Sequence, residues 1–150
     1  MIKTDSLDIN WIATIAKQRK ADPMLVEKVI RALWLLEGLV IGGLPFTFKG
    51  GTALMLKLGS TRRLSIDIDI IITKKEESLN ALLNKIAEER GFTKVEEQKR
   101  QTKSAIEKAH YKFFYKPVAQ KAEQAYVLLD ILFGDSGYHK IESQLIESTF

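Results

Sequence analysis

Cysteine is absent from these 150 residues, which removes disulfides, thiolate zinc sites and a cysteine nucleophile from consideration. Histidine is nearly as scarce, with His110 and His139 the only two, and this argues against a histidine-rich metal centre. No stretch resembles a membrane span, and the opening MIKTDSLDINW has no basic region leading into an apolar run. The expectation is therefore a cytoplasmic protein. Neither sign of charge dominates: 23 Lys and Arg face 19 Asp and Glu, and a net charge of +4 permits a polyanionic partner without demanding one. There is no internal repeat or low-complexity segment, and the length suits one domain, residues 1–150, able to bury a core without staples.

What is present is concentrated between Phe48 and Ile72, FKGGTALMLKLGSTRRLSIDIDIII. In Ile66-Asp67-Ile68-Asp69-Ile70 the two-residue period of a strand sends the isoleucines to one face and both aspartates to the other. Neighbouring carboxylates repel, so one takes up a proton unless a cation screens them. A divalent metal is the obvious screen. Just upstream, Gly50-Gly51 follows the apolar step Phe46 to Phe48 and precedes the helix-like Ala53 to Leu58, with Thr52 as a candidate N-cap. Backbone N–H groups at such a turn can approach a phosphate closely.

Around this stretch the pattern reads helix, helix, strand, helix, strand, helix, then a run of strands. Asp8 to Gln18 is a short amphipathic helix carrying Ile9, Ile12 and Ile15. Asp22-Pro23 starts a second helix, with Leu25, Val29, Leu33 and Leu36 in one stripe and Gly38 as its end; Glu27 and Glu37 on it read as solvated. Gly42-Gly43 with Pro45 is a turn without a phosphate role. After the Asp67 to Ile72 strand, Thr73 to Glu76 has capping-box spacing ahead of a helix carrying Leu79, Leu82, Leu83 and Ile86 and ending at Gly91. Phe92 to Gln98 reads as a strand and Lys99 to Ser104 as a loop. His110 to Lys116 alternates, with Tyr111, Phe113 and Tyr115 on one face, and Pro117 closes it. Tyr126 to Phe133 is an apolar strand with Asp130 in its middle; Gly134 to Gly137 is a turn, and Ile141 to Phe150 opens one more element. The expected fold is α+β with α/β character: a mixed sheet with helices mainly on one side, N-terminal helices over 1–45 and the core over 46–150.

Asp67 and Asp69 on one strand and Asp130 on another make a candidate site for two Mg²⁺ ions, about 3.5–4 Å apart, that clamp the attacking and leaving oxygens of a phosphoryl transfer. Structural alternatives stand beside each: a solvated strand face for Asp67 and Asp69, and a buried ion pair with a lysine or arginine for Asp130. The glycine turn beside the acids favours the functional reading.

The combination G-G-x-A-L followed by R-x-S-x-D-h-D, with h apolar, resembles nucleotidyltransferases of the DNA polymerase β superfamily. Phe48-Lys49-Gly50-Gly51-Thr52-Ala53-Leu54 and Arg63-Leu64-Ser65-Ile66-Asp67-Ile68-Asp69 are similar to its AbiEii/AbiGii-type toxin branch, and the resemblance covers most of residues 20–133. It implies a catalytic nucleotidyltransferase core in which Asp67, Asp69 and Asp130 hold the metals and Asp130 also polarises the acceptor hydroxyl. Gly50, Gly51 and Thr52 would hold the triphosphate of an NTP, with Lys49 and Arg63 as further phosphate contacts; Arg62 is placed like Arg63, and an ion pair with the aspartates is the alternative for both arginines. Ser65 supports the turn. Members of the branch continue into a helical region that adds a basic residue and an aspartate to nucleotide binding, and this sequence ends at Phe150 before one, so the expectation is a core without that region.

The function implied is NMP transfer to RNA, tRNA first, by a toxin of a type IV toxin–antitoxin or abortive-infection system, with a cognate antitoxin as partner. Two other readings remain: a small-molecule nucleotidyltransferase of the antibiotic-modifying kind, and a catalytically weak module that binds a nucleotide or a protein. The basic and aromatic segment Lys94 to Lys121 could contact RNA, but an edge hairpin with core aromatics and solvated lysines is the favoured reading, because strand alternation already explains its spacing.

Overall fold

The structure of the protein is a computed structural model, described here over residues 2–50, 67–98, 107–119, 121 and 124–134. A single 3-10 turn, Thr4–Leu7, leads into helix α1, Ile9–Arg19. Asp8 caps α1 by accepting from the N–H groups of Asn10 (2.8 Å) and Trp11 (3.3 Å). At the other end Lys20 is left-handed, with φ of 52°, and the Ala21 N–H closes onto the Ala16 carbonyl at 2.9 Å. Ile12 and Ile15 are buried as the period requires, whereas Ile9 is exposed.

Helix α2, Pro23–Ile41, begins as the sequence implies, with the Asp22 side chain accepting from the Met24 N–H at 2.8 Å and proline in the first turn. It does not end at Gly38. The helix runs one turn further to Ile41 because Gly38 is a packing residue: a Cβ there would lie 2.9 Å from Cγ2 of Ile86 on the next helix. Glu27 and Glu37 are likewise not solvated. Glu27 is fully buried. The Ile2 N–H donates to the Glu37 carboxylate at 3.0 Å, and Arg90 Nη1 lies 3.7 Å from it.

Helix α3, Leu79–Glu89, starts later than the Thr73 to Glu76 capping box predicts. Its N-cap position is Ser78, with no side-chain cap bond. Leu79, Leu83 and Ile86 still face inward, and Gly91, with φ of 74°, follows the helix as expected. Trp34 of α2 donates from Nε1 to the Arg90 carbonyl at 2.9 Å, and the Arg90 guanidinium lies 4.4 Å from the Trp34 ring. One tryptophan thus ties the C-terminal end of α3 to α2.

The strands are β1, Thr47–Lys49; β2, Asp67–Ile72; β3, Lys94–Gln98; β4, Lys108–Tyr115; and β5, Ala125–Phe133. They form a mixed sheet in the order β1-β2-β5-β4-β3, in which only β2 and β5 run parallel. On one face Ile68, Ile70, Leu129, Ile131, Tyr111, Phe113 and Tyr115 are all buried against Leu35, Leu36 and Leu39 of α2 and Leu83 and Ile86 of α3. Each such side chain contributes about 1.5–3 kcal/mol on burial, so this face sets the register of every strand. The result is an α+β fold whose N-terminal helices precede the sheet.

Candidate functional site

The opposite face carries the polar residues. Because directly paired residues point the same way, the register writes rows across it. One row crosses all five strands: Lys49, Asp69, Asp130, His110 and Gln98. The row on one side of it reads Asp67, Leu128, Lys112, Glu96; the next reads Tyr126, Phe114, Lys94.

Asp69 and Asp130 are therefore immediate neighbours on parallel strands, whose spacing is about 4.8 Å. Both are half-buried, as is Asp67. Burial pushes the Asp69 carboxyl above its ordinary range; the Asp130 carboxylate adds to that, Lys49 opposes it, and Asp67 raises it further. Asp130 has a partner that the sequence did not suggest. His110 Nδ1 bonds to Asp130 Oδ1, in place of the lysine or arginine considered as its structural alternative. The signal for His110 was its parity in the alternation of β4, opposite to Tyr111 and Phe113, but only the β4–β5 register shows that it meets Asp130.

Gly50 follows β1 with φ of 83°, a conformation that favours glycine. A Cβ at this position would lie 3.1 Å from Cγ and 3.2 Å from Cβ of Asp69 and would overlap its carboxylate oxygen. The glycine thus lets the backbone close on the acid, and it brings Lys49 and Gly50 to the same place as Asp67, Asp69 and Asp130. Gly51, Thr52, Arg62, Arg63 and Ser65 lie outside the described residues, as do the Ala53 to Leu58 helix, the loop at 99–104 and the element at 141–150.

The donor set suits a hard cation: adjacent carboxylate oxygens, one held by an imidazole, with the charge on Asp69 disfavoured in the absence of a counter-ion. Among the described residues no three acidic or histidine side chains converge into a closed cage.

The sequence model of the family described as nucleotidyl transferase AbiEii toxin, type IV TA system, matches residues 34–149. This chain belongs to the AbiEii family. The family that the resemblance implied is thereby the one to which the chain belongs. No curated protein matches the sequence. Among solved structures, JHP933 from Helicobacter pylori is similar, with 24% identity and a TM-score of 0.52, over 81% of this chain and 50% of that one. That likeness shows the shared fold, and this AbiEii-family chain spans half the length of its Helicobacter counterpart. No helix among the described residues is long and apolar enough to cross a membrane.

Proposed function

We propose that this chain is a divalent-metal-dependent nucleotidyltransferase that moves an NMP from an NTP to an RNA acceptor, with tRNA the favoured class. The observation that carries this reading is the row Lys49, Asp69, Asp130, His110, with Asp67 one step away. Like carboxylates kept side by side on an open sheet face cost stability, and phosphoryl transfer is the chemistry that uses them.

Asp67, Asp69 and Asp130 would hold the metal, for which Mg²⁺ is the natural choice. A pair of such ions would neutralise the developing charge and orient the attacking and leaving oxygens. Lys49 supplies a positive charge beside Asp69 for the triphosphate, and Gly50 lets the backbone at the end of β1 approach the Asp69 carboxylate closely. Gly51, Thr52 and Arg63, which lie outside the described residues, would be the further contacts to the triphosphate. The acceptor hydroxyl oxygen bonds to the α-phosphorus as the bond from that phosphorus to the bridging oxygen breaks. Pyrophosphate leaves, and the hydroxyl proton passes to Asp130 or to water. Positioning and charge supply most of the rate in such a site.

In this reading residues 1–150 form a single domain with its catalytic core over 46–150, working in the cytoplasm with an antitoxin protein as its counterpart. Incubating the protein with each α-labelled NTP, Mg²⁺ and total RNA tests the reading. Label is expected on RNA, to disappear with EDTA and with Asp69→Asn. Label on a small hydroxylated amine and never on RNA would favour the small-molecule reading. Absence of label with all four NTPs, together with a melting temperature unmoved by Mg²⁺ and NTP, would leave only a binding module.

A further inference from the structure

The sheet face that carries the acids also carries a basic and aromatic surface at the other end of the same strands. Phe114 and Tyr126 are paired across β4 and β5, with ring centroids 5.7 Å apart. Three ammonium groups converge on these two rings from three elements. Lys112 Nζ of β4 lies 4.5 Å and Lys28 Nζ of α2 lies 5.0 Å from the Tyr126 centroid, and Lys94 Nζ of β3 lies 4.6 Å from that of Phe114. Among the described residues the carboxylate ion-paired with these lysines is Glu96, 3.4 Å from Lys94, with both side chains more than half exposed. Tyr126 itself is 37% exposed, high for a large apolar side chain in an interior strand.

Three cations around two rings repel one another, and the single exposed Glu96 offsets little of that. The arrangement gains from an anion. It also offers ring surface, and a charged groove with aromatic platforms is how proteins hold single-stranded nucleic acid. Tyr126 precedes Asp130 by four residues on β5, and a strand of that length spans about 13 Å. A few nucleotides of a single strand cover that distance. We propose that Lys28, Lys94, Lys112, Phe114 and Tyr126 form the docking surface for the single-stranded end of an RNA acceptor, which runs along β5 and delivers its terminal hydroxyl to Asp69 and Asp130. This assignment rests on the reading of the acids as a nucleotidyl-transfer site, and it names the face by which the acceptor reaches them.

Direct binding separates the two ideas. The full chain carrying Asp69→Asn, without NTP, is titrated against a short fluorescein-labelled single-stranded RNA, by anisotropy, at several salt concentrations. Replacing both Lys94 and Lys112 by glutamine should weaken binding and reduce the slope of log K against log salt by about 1.4, two phosphate contacts on a single strand. Tyr126→Ala should weaken binding about five- to a hundredfold at constant slope, the cost of one lost stacking platform. The control Lys17→Gln with Lys85→Gln removes the same charge from α1 and α3 and should leave the affinity of the parent. Melting temperatures check that each variant is folded; if Tyr126→Ala is not, Tyr126→Phe should bind like the parent, because the ring is kept.

Equal loss in the control pair, unchanged RNA affinity in the Lys94 and Lys112 pair, or no RNA binding by the parent overturns the proposal. An acidic protein partner whose affinity alone falls in the lysine variants overturns it too. Loss of RNA binding in these variants, in a protein that labels no acceptor, would keep the docking surface and remove the catalytic reading.

Discussion

Two sets of carboxylates in this molecule are treated in opposite ways by the fold. Glu27, on the helical side, is fully buried and fully served: the Val118 N–H reaches both its oxygens at 3.0 Å, the Ala119 N–H donates at 2.9 Å, and Arg31 Nη2 at 3.3 Å. Arg31 in turn lies 4.9 Å from the Tyr115 ring. Asp69 and Asp130, on the opposite face, are half-buried beside each other, and among the described residues Lys49 and His110 stand against the like charges of the neighbouring acids. The first arrangement closes the chain segment after Pro117 onto α2. The second sets like charges side by side on a half-buried sheet face. A buried acid is thus no marker of function by itself; what separates the two is whether the fold supplies donors or leaves the charge for something else to neutralise.

The largest effects should come from exchanging these roles. Asp69→Asn should abolish detectable transfer while raising the melting temperature of the metal-free protein at neutral pH. The sign follows from the raised Asp69 carboxyl: its contribution to stability is complete below the ordinary carboxylate range and is lost as pH rises through the higher folded-state value. Calorimetry of both proteins from acidic to neutral pH checks this, since the two melting curves should draw together in acid. A variant that is less stable at neutral pH would break the comparison.

Glu27→Ala should do the reverse. It leaves the Val118 and Ala119 N–H groups and the Arg31 guanidinium without their acceptor, at about 3–5 kcal/mol. Urea unfolding measures the loss, while the activity of the fraction still folded should be nearly unchanged. A smaller effect is expected at His110, whose bond fixes one oxygen of Asp130. His110→Ala should lower transfer about ten- to a hundredfold, and His110→Asn, whose amide can donate from nearly the position of Nδ1, should recover part of it. Gly50→Ala is the mildest in energy, about 1–2 kcal/mol from the left-handed backbone. Because its Cβ would press on Asp69, transfer should fall more than stability does.

Legibility in the sequence divides along the same lines. The isoleucine period of α1, the cap at Asp22, the alternation of β2 and β4, and the apolar run of β5 are local signals, and each predicted its element. The acids stood out because D-x-D on an apolar strand is costly. Gly38 has the linear pattern of a terminator but packs against Ile86, because a glycine that admits a neighbouring side chain and one that ends a helix look alike in sequence. Thr73 to Glu76 has the spacing of a cap, but the helix begins only where Leu79 can reach the core. Glu27 was read as solvated because its donors are about 90 residues away in the chain.

The sequence by itself determined which faces are apolar, which strand bears the two aspartates, and the family to which the chain belongs. Only the tertiary structure decided which residues meet. Pairing β2 with β5 in parallel set Asp69 beside Asp130, and pairing β4 with β5 brought His110 to one end of the open face and Phe114 and Tyr126 to the other. The physical reason is that register is a property of two strands at once. It is fixed by how the buried face packs against α2 and α3, while the chemistry follows on the opposite face, where the pleat carries it.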